Sequence, residues 1–244
     1  MRWKYLFFDL DGTLTDPMPG ITRSVQYALR HFGIEADDPT ALCPFIGPPL
    51  RNSFREFYDM SDADAEVAVE KYREYYAPKG IFENRLYEGI PELLRDLRAH
   101  GATLVVATSK PTRFAEQIAR HFGFADDFAL ISGSTPDGSR DAKADVIRHA
   151  LATLGIDDPA RAVMIGDRRH DVEGAAATGL AAIGVLWGYG SREELQTAKP
   201  AFIAEDIPAL FVVWLNDSGR SCFFTVCRSC FFEGRPQKPD EPGH

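Results

Sequence analysis

The chain has 244 residues, 45% of them hydrophobic and 26% charged, so it can bury a globular core without disulfide staples. A formal net charge of -9 excludes a non-specific grip on nucleic-acid phosphates, so an anionic ligand needs a local cation: a metal ion or a few Lys and Arg. The chain reaches Asp9 before a signal-peptide core can form, and no apolar run approaches membrane-spanning length. A cytoplasmic protein is expected, with neither a membrane nor a nucleic-acid polymer as partner.

In chain order, residues 4–10 form a short aromatic run that predicts a buried strand. Residues 21–34 predict a helix with Ile21, Val25, Leu29 and Phe32 on one face and Gly33 at its end. CPFIGPPLRNSF (43–54) is expected to be a loop, because Gly47, Pro48 and Pro49 break regular structure. Residues 62–76 predict a helix, charged on one side and tyrosine-rich on the other. A helix is expected over 89–101, with Pro91 in its first turn and Gly101 as its stop. From there strands and helices alternate: strand 102–109, helix 111–123, strand 128–134, helix 141–155, strand 162–167, helix 170–180 and strand 181–188. A helix capped by the Ser191–Glu194 box, a strand at 201–206 and a helix at 207–214 complete the series.

This alternation implies an α/β fold: a Rossmann-like parallel sheet covered on both faces. The helical stretch interrupts it after the first strand. The expected organisation is a core of residues 1–15 and 86–215, an inserted helical subdomain at 16–85, and a tail at 216–244 of unknown role.

Ligands of parallel sheets bind beyond the carboxyl ends of the strands. There the sequence places Asp9, Asp11 and Gly12 after the first strand and Thr108, Ser109 and Lys110 after the second. Asp167 ends the strand AVMIG, Asp171 follows it, and Lys143 opens the preceding helix. Carboxylates gathered at one edge repel each other unless a cation lies among them. The candidate ligands are all oxygens, which favours Mg²⁺ joined to a phosphorylated substrate. Asp9 is a candidate nucleophile towards phosphorus and Asp11 a candidate acid/base. Gly12 lets the backbone approach an anion, while Thr108 and Lys143 are candidate holders of phosphoryl oxygens. Taken singly, Asp9 and Asp11 also suit an Asx turn, and Asp171 a helix-N-terminal carboxylate.

DLDGTLTD, VVATSK, the lysine of DAKADVI and MIGDRRHDV together resemble the four ordered motifs of the haloacid dehalogenase superfamily, over roughly residues 4–210. The resemblance implies a helical cap over a Rossmann-like core, Mg²⁺ as cofactor and an aspartyl-phosphate on Asp9. It also implies Asp11 as acid/base with its carbonyl on the metal, Thr108, Ser109 and Lys143 on phosphate, and Asp9 and Asp167 on the metal with Asp171 in support. DGTLTDPMPGITRSVQYAL, FIGPPL and GVLWGYGSREEL look most like the phosphoglycolate phosphatase-like branch, whose members act on small phosphomonoesters, some on nucleotides. Asp11 argues against a true dehalogenase, whose branch lacks an acid at this position. Gly47 and Leu50 resemble that branch's specificity loop. Arg51 and Arg168 are candidate substrate contacts, each with a plain surface role as the alternative; Lys110 lies near the site with its direction unread.

The expected function is hydrolysis of a small phosphomonoester, by a monomer or homodimer. A pyrophosphatase, a sugar phosphomutase and a non-catalytic binding module are the alternatives. Cys227 and Cys230 have CxxC spacing, but a second pair for structural zinc and the βαβ context of a redox motif are both missing.

Overall fold

The computed structural model describes residues 2–135 and 139–216. The CxxC pair and the rest of the expected tail from residue 217 lie outside the described residues.

The chain starts with β1 (Tyr5–Phe8), then β2 (Thr15–Asp16), α1 (Met18–His31), α2 (Leu50–Tyr58), α3 (Asp62–Tyr76) and β3 (Arg85–Leu86). It continues with α4 (Ile90–Ala99), β4 (Thr103–Pro111), α5 (Thr112–His121), β5 (Leu130–Ser134), α6 (Lys143–Leu154) and β6 (Ala162–Gly166). Then come α7 (Arg169–Ala176), β7 (Ala181–Val185), α8 (Arg192–Ala198), β8 (Phe202–Ala204) and α9 (Ile207–Asn216).

Six strands form one sheet in the order β5-β4-β1-β6-β7-β8, and every neighbouring pair is parallel. β1 lies between β4 and β6, with Phe8 opposite both Val106 and Ile165. The chain leaves β1 towards β4 on one side and reaches β6 on the other, so the topological switch point falls at the carboxyl end of β1. Asp9 and Asp167, each just past its strand, and Thr108, past the part of β4 paired with β1, therefore arrive at the same edge.

Strand alternation sends Phe7, Val105 and Met164 into a core with Val146, Ile147 and Ala150 of α6 and Val172 and Ala175 of α7. Leu6, Phe8, Val106 and Ile165 point the other way, into a core shared with α4, α5 and α9. Full burial of each such side chain contributes about 1.5–3 kcal/mol. Trp214 of α9 is buried and donates its indole N–H to the Trp3 carbonyl at 3.0 Å, closing the C-terminal helix onto the strand that starts the fold.

α1 and α3 pack on each other between β2 and β3, with α2 against α3. Ser61 caps α3 by accepting the Asp64 amide at 3.1 Å. β2 and β3, two residues each, pair antiparallel, Thr15 opposite Leu86 and Asp16 opposite Arg85. Arg85 donates to Asp16 Oδ2 at 2.9 and 2.7 Å. The two chain crossings between sheet and helices thus run side by side.

The expected loop over 43–54 is corrected. A 3-10 turn covers Thr40–Phe45, and α2 starts at Leu50. Pro49 is extended, with ψ 125°, and ends the irregular stretch one residue before the helix. LRNSFREFY then has no breaker, and it buries Ser53 and Phe54. Among the described residues no helix is long and apolar enough to cross a membrane.

Candidate active site

Asp9 continues the β1 ladder, its amide donating to the Ile165 carbonyl at 2.9 Å. Its Oδ1 accepts the Leu10 amide at 2.8 Å and faces Lys143 Nζ at 2.9 Å. Beyond Asp9 the chain turns sharply, and Gly12 has φ +82°. A Cβ on Gly12 would lie 2.2 Å from Asp167 Oδ2, so both its backbone angle and its neighbour demand glycine.

Asp167 is fully buried. Its Oδ2 accepts the Tyr189 amide at 2.7 Å, and its Oδ1 accepts the Thr13 hydroxyl at 3.4 Å. Asp171, in the first turn of α7, accepts the Arg168 amide on Oδ2 at 3.1 Å. Lys143, the first residue of α6, lies 2.8 Å from Asp171 Oδ1 and donates to the Ala107 carbonyl at 3.1 Å. With Asp9 this gives its ammonium three oxygen neighbours.

Asp9, Asp167 and Asp171 each offer an oxygen within 4.8 Å of the others, and all three are buried. The Lys143 ammonium pairs with two of the three, Asp9 and Asp171. Burial and the charges of Asp171 and Asp9 push the Asp167 carboxyl up to about 8. Burial also raises Asp171, to about 6, although Lys143 opposes the rise. Burial works against the Lys143 charge, but Asp171 and Asp9 outweigh it and hold the ammonium above its usual range. A trio of hard oxygen donors, short of positive charge, fits a divalent cation such as Mg²⁺.

Asp11 turns its carboxylate elsewhere. Its Oδ2 pairs with Lys110 Nζ at 2.7 Å, and that ammonium also donates to the Tyr76 hydroxyl of α3 at 2.7 Å. Asp11 Oδ1 is buried and has no hydrogen-bond partner among the described residues. Burial raises the Asp11 carboxyl, with Lys110 pulling against it. Thr108 is buried and accepts the Lys110 amide on Oγ1 at 3.2 Å.

A cavity of about 400 Å³ opens over this edge. Asp9, Asp11, Thr108, Ser109 and Lys110 line its polar part, and Phe45, Val69, Tyr72 and Phe114 are among its apolar walls. Gly47, Leu50 and Arg51 line it as well. Arg51 is also paired with Glu66 at 3.1 Å and Asp62 at 3.7 Å. Arg168 does not line the cavity. It spans the helical segment and the core, donating to the Ile46 carbonyl at 2.9 Å and to Glu194 at 3.0 Å. Lys143, Asp167 and Asp171 lie outside the cavity lining, as does Gly12.

Sequence reasoning did not find Tyr76, Arg73 or Arg113. The tyrosine-rich face of residues 62–76 was the available signal for Tyr76. Arg73 and Arg113 line the cavity and, among the described residues, form no ion pair.

An all-parallel sheet with carboxylates at its switch point and an inserted helical segment defines a class of hydrolases. The family model described as haloacid dehalogenase-like hydrolase matches residues 6–185, and the chain belongs to that family. It is 49% identical over 210 residues to a 5'-nucleotidase of Pseudomonas aeruginosa, covering 86% of this chain and 95% of that one. It is 45% identical over 187 residues to the tyrosine-protein kinase PtkA of Mycobacterium tuberculosis, covering 77% of this chain and 63% of that longer one. The crystal structure of a predicted phosphatase from Clostridium acetobutylicum superposes with a TM-score of 0.86 at 47% identity, covering 88% of this chain and all of that one.

Proposed function

We propose that this haloacid dehalogenase-like phosphatase hydrolyses a small phosphomonoester through an aspartyl-phosphate on Asp9, with Mg²⁺ as cofactor. The observation that carries the proposal is one cavity bounded by both Asp9 and Asp11, with Asp11 Oδ1 buried and unpartnered. Asp9 Oδ1 is held by Leu10 and Lys143, which leaves its other oxygen to attack phosphorus. As that bond forms, the ester P–O bond breaks and Asp11 gives its proton to the leaving oxygen. Asp11 then takes a proton from water as the water attacks the aspartyl phosphorus, releasing inorganic phosphate and free Asp9. Thr108 and Ser109 meet the phosphoryl oxygens, and Lys143 offsets charge on Asp9. When bound, Mg²⁺ among Asp9, Asp167 and Asp171 supplies the positive charge that the carboxylates and the phosphoryl group lack. Residues 16–85 act as the cap that selects the leaving group and excludes bulk water.

Nucleoside monophosphates are the preferred substrate class. The cavity's aromatic wall of Phe45, Tyr72 and Phe114 suits a flat base, and the nucleotidase likeness supports this choice. A second reading is a small ester with a carboxylate, such as phosphoglycolate, favoured by Arg73 and Arg113 on the cavity wall, which form no ion pair among the described residues. Phosphate release from a panel decides between them: nucleoside monophosphates, phosphoglycolate, sugar phosphates, phosphotyrosine and pyrophosphate, each with Mg²⁺ and with EDTA. Turnover of one class, abolished by EDTA, is expected. Silence across the panel from folded protein would refute the proposal.

A further inference from the structure

Lys110 is nearly buried, its side chain 6% exposed, and a buried ammonium needs partners to offset lost hydration. It has two, from different parts of the fold. Asp11 follows β1, and Tyr76 ends α3 in the helical segment. Lys110 also lies 4.8 Å from the centroid of the Tyr76 ring, within reach of its π face. Tyr76 is fixed in turn: its ring stacks on Tyr72 at 5.2 Å and meets the edge of Phe114 at 5.5 Å. The hydroxyl is therefore held in place by two ring contacts of its side chain.

The consequence falls on Asp11. Its Oδ2 is occupied by the Lys110 N–H, whereas Oδ1 is buried without a partner. Oδ1 is therefore the oxygen left open to exchange a proton with a bound substrate.

We propose that Tyr76 and Lys110 are positioning residues for the acid/base step, aiming Asp11 Oδ1 at the leaving oxygen, so that the acid is set only when α3 lies against the end of β4. This rests on the reading of Asp11 as acid/base. In the step, the proton on Asp11 Oδ1 passes to the ester oxygen while the P–O bond to the leaving group breaks and the Asp9–phosphorus bond forms. Neither Tyr76 nor Lys110 gains or loses a proton. The helical segment thus contributes to the chemistry as well as to the cavity wall.

The proposal is tested by leaving-group dependence. An alkyl or nucleoside monophosphate needs a proton on its departing oxygen, whereas p-nitrophenyl phosphate expels a stable phenolate without one. Tyr76→Phe keeps the ring contacts and removes only the hydroxyl; Lys110→Met removes the ammonium at similar length. The full chain of each variant is assayed with Mg²⁺ on both esters by rapid-quench measurement of leaving-group release in the first turnover, with far-UV circular dichroism to verify folding. Expected are losses in the first-turnover rate on the alkyl ester of roughly 10-fold for Tyr76→Phe and roughly 100-fold for Lys110→Met, up to the low end of general-acid contributions. On p-nitrophenyl phosphate, release of the first equivalent of nitrophenolate by both variants stays within about 2-fold of wild type, and the ester concentration that half-saturates this step changes little. Equal losses on the two esters would assign Lys110 and Tyr76 to phosphate binding or folding and overturn the proposal. Wild-type rates on both esters would overturn it too. Asp11→Asn separates this from the reading beneath it. If that variant loses first-turnover release from the alkyl ester selectively while the other two do not, Asp11 is the acid and only the positioning role fails. If Asp11→Asn shows no selectivity, the acid reading itself fails.

Discussion

Replacing Asp167 with Asn is predicted to stabilise the protein in the absence of metal. Asp167 is buried beside two other carboxylates, and its carboxyl is raised from 3.8 to about 8. The sign follows from linkage. The folded state favours the protonated form, so the penalty is absent below pH 3.8, grows as pH rises through the window from 3.8 to about 8, and is constant above it. A shift of this size costs about 2 kcal/mol at pH 5 and about 4 kcal/mol at pH 7. Asn keeps an oxygen for the Tyr189 amide, and weakening that bond returns about 1 kcal/mol. The net gain is about 3 kcal/mol at pH 7 and about 1 kcal/mol at pH 5. For a chain of this size that is a rise in Tm of roughly 5–10 °C at pH 7. Mg²⁺ should reverse the order at about 1,000 times its Kd, where wild type gains about 4.1 kcal/mol, while the variant has lost a ligand. The assay is thermal unfolding at pH 5 and pH 7, with EDTA and with a Mg²⁺ series. The reasoning is refuted if Asp167→Asn lowers Tm in EDTA at pH 7, or if Mg²⁺ stabilises both proteins equally.

Three further outcomes are expected. Gly12→Ala imposes a Cβ at φ +82° and 2.2 Å from Asp167 Oδ2, so it should cost about 1–3 kcal/mol and abolish the Mg²⁺-dependent rise in Tm, both read from melting curves. Arg168→Gln releases the Ile46 carbonyl that anchors the loop before Gly47. It should raise KM about 5-fold, the value of one hydrogen bond, with kcat nearly unchanged in steady-state kinetics. Trp214→Ala should cost about 3–5 kcal/mol in urea unfolding while activity per folded molecule stays at wild-type level, since the buried side chain does not line the cavity.

The sheet was legible because each strand is a short apolar run that ends in chemically distinctive residues; Asp9, Thr108 and Asp167 follow from strand ends alone. The trio with Asp171 was partly legible: strand and helix order brings Asp167 and Asp171 to one edge. Which oxygens face each other depends on packing around Gly12 and the loop at Tyr189, which has no local signature. α2 was hidden by Gly47, Pro48 and Pro49, whose effect stops one residue before the helix. The β2–β3 pair has two residues a side, too short for any periodicity, and it is set by where the helical segment leaves and rejoins the core. The contact between Lys110 and Tyr76 was illegible for the same reason: the residues lie 34 positions apart and meet only through the docking of α3.

The central claim is that Asp9 becomes phosphorylated and Asp11 then activates the water that frees it. Asp11→Asn, mixed with excess p-nitrophenyl phosphate and Mg²⁺, tests this most directly. That leaving group departs without a proton, so the first step proceeds while the second is blocked. The account predicts a burst of one equivalent of nitrophenolate followed by a stall, with one phosphoryl group on the peptide that contains Asp9, and no burst from an Asp9→Asn control. Steady turnover by Asp11→Asn at the wild-type rate, or a burst that persists in Asp9→Asn, would contradict it.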